Sequence, residues 1–293
     1  MIINFVGRRK LWYIISSILV LVGIGSLIFQ GLNLGIDFTG GNIIQVQFAQ
    51  DTTSAQVRDV FSHHISEGFS VQETGSNSFL MRTPTLSEEE ADTIISSLTS
   101  QLGSNELLRN EHVGAVIGKE LALNAIYALV IAFALMVLYI SFRFEFRSGV
   151  AAIIALVHDV LLVVGLFSIL QIEVDSAFVA AILSIVGYSI NDTIVVFDRI
   201  RENMRLHTKD DRDTLVNRSV TQSLTRSINT ALTTMFPLIA LFLFGGETIK
   251  AFALALLVGT FIGCFSTIFL ASPLWMDFSD WLAARKSHKK AHA

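Results

Sequence analysis

Six long apolar runs determine what this chain of 293 residues can fold into. A helix rises about 1.5 Å per residue, so a run of about 17 or more residues crosses most of a hydrocarbon layer roughly 30 Å thick. Because no water reaches that layer, a segment within it has to satisfy its backbone hydrogen bonds internally, as a helix does. The sequence therefore predicts six transmembrane helices, at 11–29, 121–141, 149–170, 177–197, 230–246 and 250–271.

The composition also predicts a polytopic α-helical membrane protein, since 52% of the residues are apolar and only 16% are charged. The fifth run is the weakest of the six. Arg226 and Asn229 lie just before it, and Pro237, which cannot donate a backbone hydrogen bond, interrupts it. Hydropathy alone is therefore a poor guide to where the fifth helix begins.

The distribution of lysine and arginine predicts the orientation of the spans. Of the 21 basic residues, 16 lie on one side: before the first run, between the second and third, between the fourth and fifth, and after the sixth. Positive residues accumulate in cytoplasmic loops, so both termini are predicted to be cytoplasmic. The first run follows Arg8, Arg9 and Lys10 without a small-residue cleavage site, and we expect it to remain as a signal anchor.

Segment 31–119 is the one long stretch outside the apolar runs, and it carries 11 acidic and 4 basic residues. This excess of negative charge argues against nucleic-acid binding. Apolar residues in this segment recur every second residue in some stretches, as in strands, and every three or four residues in others, as in helices. Ser87 with Glu90 forms a capping box that predicts the start of a helix. The predicted order is strand 43–48, helix 53–65, strands 69–73 and 78–82, helix 87–102 and strand 107–113.

The order β-α-β-β-α-β is typical of a small ferredoxin-like α+β domain. We expect this domain to lie on the periplasmic side, between the first and second transmembrane helices. The predicted organisation is a cytoplasmic N-terminus with the first span over 1–30, the periplasmic domain over 31–119, a five-helix bundle over 120–272 and a basic cytoplasmic tail over 273–293.

An acidic residue lies inside the fourth apolar run. Asp192 is surrounded by apolar residues, where an isolated charge costs several kcal/mol, so its presence asks for a functional or structural reason. Ser184, Tyr188 and Asn191 fall at helical spacing from it. This side of the fourth helix is therefore predicted to face protein and not lipid.

A second polar stripe begins at Arg226 in the fifth helix and continues through Asn229, Thr230, Thr233 and Thr234. The spacings of three and four residues place these side chains on one face. We expect the two stripes to face each other in the cytoplasmic half of the membrane.

The central hypothesis is that Asp192 and Arg226 form a protonatable pair. Tyr188, Asn191, Asn229 and Thr230 would then serve as a relay or as polar support. A buried ion pair that only fixes the register of two helices is the alternative that the residues leave open.

His158 and Asp159 lie near the middle of the third run, where unpaired polar groups are costly. Two roles remain open for them, a proton relay and structural hydrogen bonding. Cys264 is the only cysteine, and the adjacent His63 and His64 cannot share a helical face, so no disulfide framework and no metal site are predicted.

The string GIDFTGG follows the first run. Gly35, Gly40 and Gly41 permit a tight turn, with Asp37 bonding to the turn backbone, or they form a flexible coupler to the external domain. The chain has no phosphate-loop sequence GxxxxGK[ST], so ATP hydrolysis is not expected of it. No other cofactor is expected either.

Four motifs resemble the SecD/SecF family of the bacterial protein-translocation machinery. GIDFTGG at 35–41 resembles the signature that both branches share, whereas VGAVIGKEL at 113–121, ALVHD in the third run and SIVGYSINDTIVVFDRIREN at 184–203 resemble the SecF branch. With the order of one span, an external domain and five spans, the resemblance covers essentially the whole chain. It implies half of an RND-type transporter fold, with Asp192 and Arg226 at positions that the family uses for proton conduction.

The resemblance implies an accessory subunit of the Sec translocase in the bacterial cytoplasmic membrane, where the proton-motive force promotes preprotein export. The implied partners are SecD, the SecYEG channel, the translocating preprotein and the lipid bilayer, with YajC as a further candidate. The coupling ion is expected to be H⁺, with Na⁺ as the alternative, and no covalent catalysis is expected. Two other functions stay open: half of an RND-type proton-coupled exporter of lipid or small molecules, and a passive membrane scaffold.

Overall fold

A computed structural model describes residues 2–65, 68–75, 77–143, 146–207 and 209–291. The chain divides into two compact units. One unit, called the membrane unit here, comprises Met1–Asn33 and Ala128–Ala293, and the other, called the head unit, comprises Leu34–Tyr127.

The secondary-structure elements follow in chain order. The first part of the chain contains a 3-10 turn at Val6–Arg8, then α1 (Arg9–Phe29), β1 (Asn33–Leu34), α2 (Ile36–Thr39), β2 (Gly41–Phe48), α3 (Ser54–Ser62), β3 (Ser70–Gly75), β4 (Ser78–Thr83), α4 (Glu88–Leu102) and β5 (Asn105–Val113). The second part contains α5 (Ala115–Arg143), α6 (Phe146–Leu170), β6 (Glu173–Val174), α7 (Ser176–Leu206), α8 (Arg212–Phe244), α9 (Glu247–Ser266), a π-helix at Thr267–Ala271 and α10 (Ser272–Ala291).

Six helical segments within the described residues are long and apolar enough to span a bilayer, which confirms the six predicted spans. The fifth differs most from its prediction, because α8 begins at Arg212 and not near residue 230. It also passes through Pro237 without a break. A polar N-terminal half has no hydropathy signal, so only the apolar half of this helix was visible to the sequence pattern.

The head unit is built on a four-stranded antiparallel sheet with the strand order β3-β4-β2-β5. Helices α3 and α4 cover one face, where Phe61, Phe79 and Leu98 are fully buried. The other face of β2 and β4 is buried under α2, through contacts around Ile36. Because both faces of β2 are covered, even its Gln45 is buried, and its amide nitrogen donates to Thr74 and Ser78.

Helices α3 and α4 of the head unit each begin with a capping box. Ser87 Oγ accepts from the Glu90 amide while the Glu90 carboxylate accepts from the Ser87 amide, as the sequence predicted. Thr53 and Gln56 form a second box at α3, which sequence reasoning did not identify. The hydrogen bonds from the Ser87 backbone and side chain hold the pKa of Glu90 below its ordinary value.

The membrane unit has an uneven distribution of burial. The third, fourth and sixth spans each bury 50% of the residues in an apolar 18-residue stretch, whereas the first and fifth bury 11% of theirs and the second buries none. Helices α6, α7 and α9 therefore form the centre of this unit. Most of the surface of α1, α5 and α8 is uncovered.

Glycines let the central helices approach closely. A Cβ at Gly165 of α6 would lie 2.7 Å from the Cα of Gly23 in α1, so no larger residue fits this crossing. Gly259 and Gly263 of α9 pack in the same way on Ile185 and Ser189 of α7. This GxxxG pair therefore serves helix packing.

The N-terminal segment is held against the N-terminal half of α8. The side-chain oxygen of Asn217 accepts from the backbone amides of Phe5 and Val6, at 2.8 and 3.0 Å. Phe5 and Val6 are both buried. The contact joins positions that are more than 200 residues apart in the chain.

The two capping boxes predict a difference in pH response. Because the pKa of Glu90 is lowered in the folded state, its box stabilises α4 above the ordinary glutamate pKa and loses that contribution as the pH falls through the folded-state pKa. Gln56 does not titrate. Hydrogen exchange, corrected for intrinsic rates, should show the first turn of α4 losing protection at low pH more than that of α3.

Glu90→Gln is the matched control, because it converts the α4 box into the α3 type. This variant should remove most of the difference between the helices, leaving only the contribution of the other acidic residues in that turn. An equal response of the two helices in the unaltered protein would contradict the assignment.

Candidate functional site

Asp192 lies on α7 with only 6% of its surface exposed. Its Oδ1 accepts a hydrogen bond from Ser227 Oγ of α8 at 2.7 Å. Its Oδ2 is also buried, and it has no hydrogen-bond partner among the described residues. The carboxylate is therefore attached to the neighbouring helix by one hydroxyl, and one of its oxygens is free to take a proton.

Arg226 acts on the Asp192 carboxylate only at a distance, through its positive charge. Its side chain is exposed, and the described residues include no ion pair between its guanidinium and the Asp192 carboxylate. Successive helical residues point about 100° apart, so α8 cannot direct both Arg226 and Ser227 at α7. The predicted contact of the two helices is present, but the predicted ion pair is not.

The face of α8 that packs inward is a seam of small residues. Ser219, Ser223, Ser227 and Ala231 recur every four residues, and all are buried. This spacing is typical of close helix packing in membranes, and it was a signal that the search for polar stripes overlooked.

The predicted stripe on α8 points away from the unit. Arg226 and Asn229 are exposed, and Thr230 and Thr233 donate their hydroxyls to carbonyls of their own helix, at 2.8 and 2.9 Å. Within the described part of the chain, no hydrogen-bond partner is found for the Arg226 and Asn229 side chains.

The stripe on α7 is divided in the same way. Asp192 is buried and Tyr188 is half-buried, whereas Asn191 and Ser184 are exposed. Two polar surfaces therefore remain open, next in sequence to the bonded pair of Asp192 and Ser227.

His158 and Asp159 form a second buried site. His158 Nδ1 lies 2.9 Å from Asp159 Oδ1, and Asp159 Oδ2 accepts from Ser189 Oγ at 2.6 Å and from Ser266 Oγ at 2.7 Å. Asp159 is completely buried. The site joins α6, α7 and α9, and sequence reasoning missed both serines because isolated serines in apolar runs carry no distinctive pattern.

A hydroxyl bond lies beside this site. Thr193 of α7 and Thr267 of the π-helix are 2.9 Å apart through their side-chain oxygens. The π-helix begins directly after Ser266. π-Helical segments often occur at functional sites, since the additional residue per turn aims side chains that a regular helix cannot.

The glycine motif forms a tight, packed turn. Gly40 and Gly41 have positive φ values of 71° and 126°, which residues with a side chain rarely adopt, and a Cβ at Gly41 would clash with the Thr83 carbonyl oxygen. Gly35 precedes α2 with an ordinary φ of −72°, and its carbonyl accepts from the Thr39 amide. Asp37 is half-buried in the first turn of α2.

The N-terminal turn of α5 packs directly against this glycine motif. A Cβ at Gly40 would lie 2.7 Å from the Cα of Ala115, and a Cβ at Gly118 would lie 2.9 Å from the amide nitrogen of Gly40. The geometry favours the tight-turn interpretation over a flexible coupler, because backbone contacts this close leave little freedom of motion.

Comparisons with known proteins identify the family of this chain. The family model for the SecD/SecF C-terminal region of protein export membrane proteins matches residues 93–281, and that for the SecD/SecF GG motif matches residues 25–52. The chain belongs to the SecD/SecF family. It is therefore a multi-pass membrane protein of a family of export proteins, as its motifs implied.

Relatives and solved structures extend the match. The protein translocase subunit SecF of Acidaminococcus fermentans is 45% identical, over 94% of this chain and 97% of the relative. That of Haemophilus influenzae is 42% identical, over 94% and 85% of the two chains. The crystal structure of SecDF, a translocon-associated membrane protein from Thermus thermophilus, is 36% identical with a TM-score of 0.88, and it is matched over 96% of this chain.

A second SecDF structure, in the super-membrane-facing form, is 35% identical with a TM-score of 0.74 over 100% of this chain. The chain spans 39% and 40% of the two solved SecDF chains. This family member therefore corresponds to about two fifths of the longer SecDF polypeptide.

Gly41→Ala tests the glycine turn. The positive φ and the Thr83 carbonyl should make this change cost about 1–3 kcal/mol in the free energy of unfolding of the head unit. Limited proteolysis of the full chain over a denaturant series measures this cost.

Gly75→Ala is the matched control in the same sheet, because a Cβ there meets nothing within 4 Å. It should change the stability by less than about 0.5 kcal/mol. Equal stability of the Gly41→Ala and Gly75→Ala variants would show that the turn tolerates a side chain.

Proposed function

We propose that this chain is an accessory subunit of the Sec protein translocase, in which proton passage at Asp192 promotes preprotein export across the bacterial cytoplasmic membrane. The observation that carries the proposal is the Asp192 carboxylate, buried in a membrane-spanning helix with one oxygen bonded by Ser227 and the other unpartnered among the described residues. The names of the relatives, protein translocase subunit SecF, support the same role.

The energy available is sufficient for such a role. One proton that crosses a membrane potential of 100 mV delivers about 2.3 kcal/mol, and a bistable packing with a gap of a few kcal/mol responds to one or two of them. The protonation site lies where α7 meets α8, so a proton on Asp192 Oδ2 makes the carboxyl group a weaker acceptor and weakens the bond from Ser227 to Oδ1. The coupling ion is H⁺ in this proposal, and Na⁺ is the alternative.

SecD is the proposed partner within the membrane. Asn191 of α7 and Arg226 and Asn229 of α8 are exposed polar groups on membrane-spanning helices, where lipid offers them no hydrogen bonds. A second protein has to cover them, and SecD carries the same family signature. Arg226 then acts across the subunit interface and supports Asp192 through its charge, without a direct ion pair among the described residues of this chain.

The orientation of the chain follows from its charges. With 16 of the 21 lysine and arginine residues at one membrane side, we place that side and both termini in the cytoplasm. The head unit is then a periplasmic ferredoxin-like domain, since its β-α-β-β-α-β order and its sheet order β3-β4-β2-β5 fit that fold. Its proposed task is to transmit the membrane event to a preprotein leaving the SecYEG channel, with YajC as a further partner.

Asp192→Asn tests the proton role. Asparagine keeps the size of the side chain and an acceptor for Ser227, but it cannot take up a proton. We expect the variant to insert and to co-purify with SecD, while its stimulation of preprotein export falls about tenfold or more, equivalent to about 1.4 kcal/mol or more. Reconstituted export with an imposed proton gradient is the measurement.

Asp198→Asn is the matched control, because it makes the same change on the same helix at a partly exposed carboxylate near Arg143. Export should remain near the level of the unaltered protein. Full export by the Asp192→Asn variant would leave only the passive-scaffold function for this chain.

Cysteine cross-linking tests the proposed SecD surface. With Cys264 replaced by alanine, Asn229→Cys should cross-link to cysteines in the membrane helices of SecD, because Asn229 is exposed. Ala231→Cys, on the buried face of the same helix, should not. Cross-linking at Ala231 and not at Asn229 would place the SecD contact elsewhere.

A further inference from the structure

Asp159 is surrounded by enough hydrogen-bond donors to hold a buried negative charge. The protons of two of these donors, His158 and Ser266, can occupy more than one position. The Asp159 carboxylate accepts from His158, Ser189 and Ser266, which belong to three packed helices, and the described residues show no other charged group bonded to it. The cluster is fully enclosed, since Asp159, Ser189 and Ser266 are each at most 1% exposed.

Ser266 has two acceptors for one proton. Its hydroxyl lies 2.7 Å from Asp159 Oδ2 and 3.2 Å from the carbonyl oxygen of Gly263 in its own helix. A serine hydroxyl donates one hydrogen bond, and an ionised carboxylate is the stronger acceptor. The Ser266 proton therefore goes to Asp159 when that group is charged, and it is released to Gly263 when Asp159 is neutral.

His158 has an unsatisfied nitrogen on its other side. Its Nδ1 bonds to the carboxylate, which assigns the proton to Nδ1 when Asp159 is ionised. Its Nε2 is then a lone-pair acceptor, and it is buried without a hydrogen-bond partner among the described residues, in a side chain that is only 7% exposed. Buried polar atoms are rarely left in this state without a functional reason.

We infer that Asp159 is a second proton-binding site of this chain and that His158 delivers the proton to it; this inference rests on the proposed function. A proton binds to Nε2 of His158, and the proton on Nδ1 moves to Oδ1 of Asp159. Both groups end neutral, and the Asp159 hydroxyl donates back to Nδ1. One proton is gained, and the hydrogen bond between the two residues is kept with its direction reversed.

Uptake of this proton changes how α6 is joined to α9. A neutral carboxyl is a weaker acceptor, so the Ser266 hydroxyl turns to the Gly263 carbonyl and the bond between the two helices is lost. The π-helix begins at the next residue, where Thr267 bonds to Thr193, the neighbour of Asp192. The two protonation sites are thereby connected through the Thr193–Thr267 bond and through the backbone that joins each threonine to its neighbour, Asp192 or Ser266.

Other titratable groups lie on the elements packed around Asp159, but within the described residues none is bonded to it. On α7, Tyr188 and Asp192 flank Ser189, and α9 contributes Cys264. On α10, Asp277 is bonded to Arg9 and Tyr13 of α1. His158 is thus the one titratable side chain with a described bond through which Asp159 exchanges a proton.

Asp159→Asn separates proton binding from structural hydrogen bonding. The asparagine oxygen can accept from both serines, and its amide can donate to Nδ1 of His158, so the network stays complete while the ionisable group is lost. We expect insertion and SecD binding to persist and preprotein export to fall about tenfold. Full export by this variant would overturn the inference.

Two variants control this experiment. Ser189→Ala removes one of the three hydrogen bonds but keeps the acid, so its export should fall by less than that of Asp159→Asn. His158→Asn keeps a donor near Nδ1 but deletes Nε2, so export should decline and its dependence on pH should shift. If Ser189→Ala is as damaging as Asp159→Asn, or if His158→Asn leaves the pH dependence unchanged, the cluster is structural.

Carbodiimide labelling of the unaltered protein decides the question even if a variant fails to accumulate. These reagents modify protonated carboxyl groups in apolar surroundings, and mass spectrometry separates Asp159 from Asp192. Labelling of Asp159 should decrease as the pH rises across the range in which export is assayed. Labelling that is constant, or that is absent throughout, would overturn the inference.

The Asp192→Asn variant, measured in parallel, separates the two levels of the proposal. Normal export by that variant means that the proposed function itself fails. Loss of export by Asp192→Asn with full export by Asp159→Asn means that only the second proton site fails.

Discussion

A carboxylate inside a bilayer has no water to bond, and this constraint organises the membrane unit. Asp159 and Asp192 meet it in different ways. Asp159 receives three hydrogen bonds from three helices, whereas Asp192 receives one from Ser227. The small residues and hydroxyls of α7, α8 and α9 are arranged around these two acids, and close packing of those helices follows from the same positions.

The sequence predicts the fold of this chain well and its site in part. Hydropathy reveals the six spans, and the alternation of strands and helices reveals the head unit, because both depend on local periodicity. The start of α8 was missed because its first half is polar. The pairing of Asp192 with Ser227 was missed because the prediction rested on charge, which favours Arg226 as the partner. The helices instead pack through the small residue next to it, Ser227.

Burial in the membrane unit distinguishes a covered centre from helices that are largely uncovered. Helices α6, α7 and α9 are well covered, but α1, α5 and α8 present apolar side chains such as Leu135 and polar ones such as Arg226 to the outside. Apolar exposure suits lipid, but exposed arginine and asparagine at membrane depth do not. The exposed polar groups are therefore a better indication of the contact surface for a second subunit than the exposed apolar side chains are.

The link between the N-terminal segment and Asn217 has a consequence for biogenesis. A membrane protein is inserted from its N-terminus as it is synthesised. The amides of Phe5 and Val6 therefore lack their acceptor, Asn217, until more than 200 further residues have been added. The first span remains unanchored at its base during that time. This contact consequently forms late, when α8 arrives and its N-terminal half bonds to the beginning of the chain.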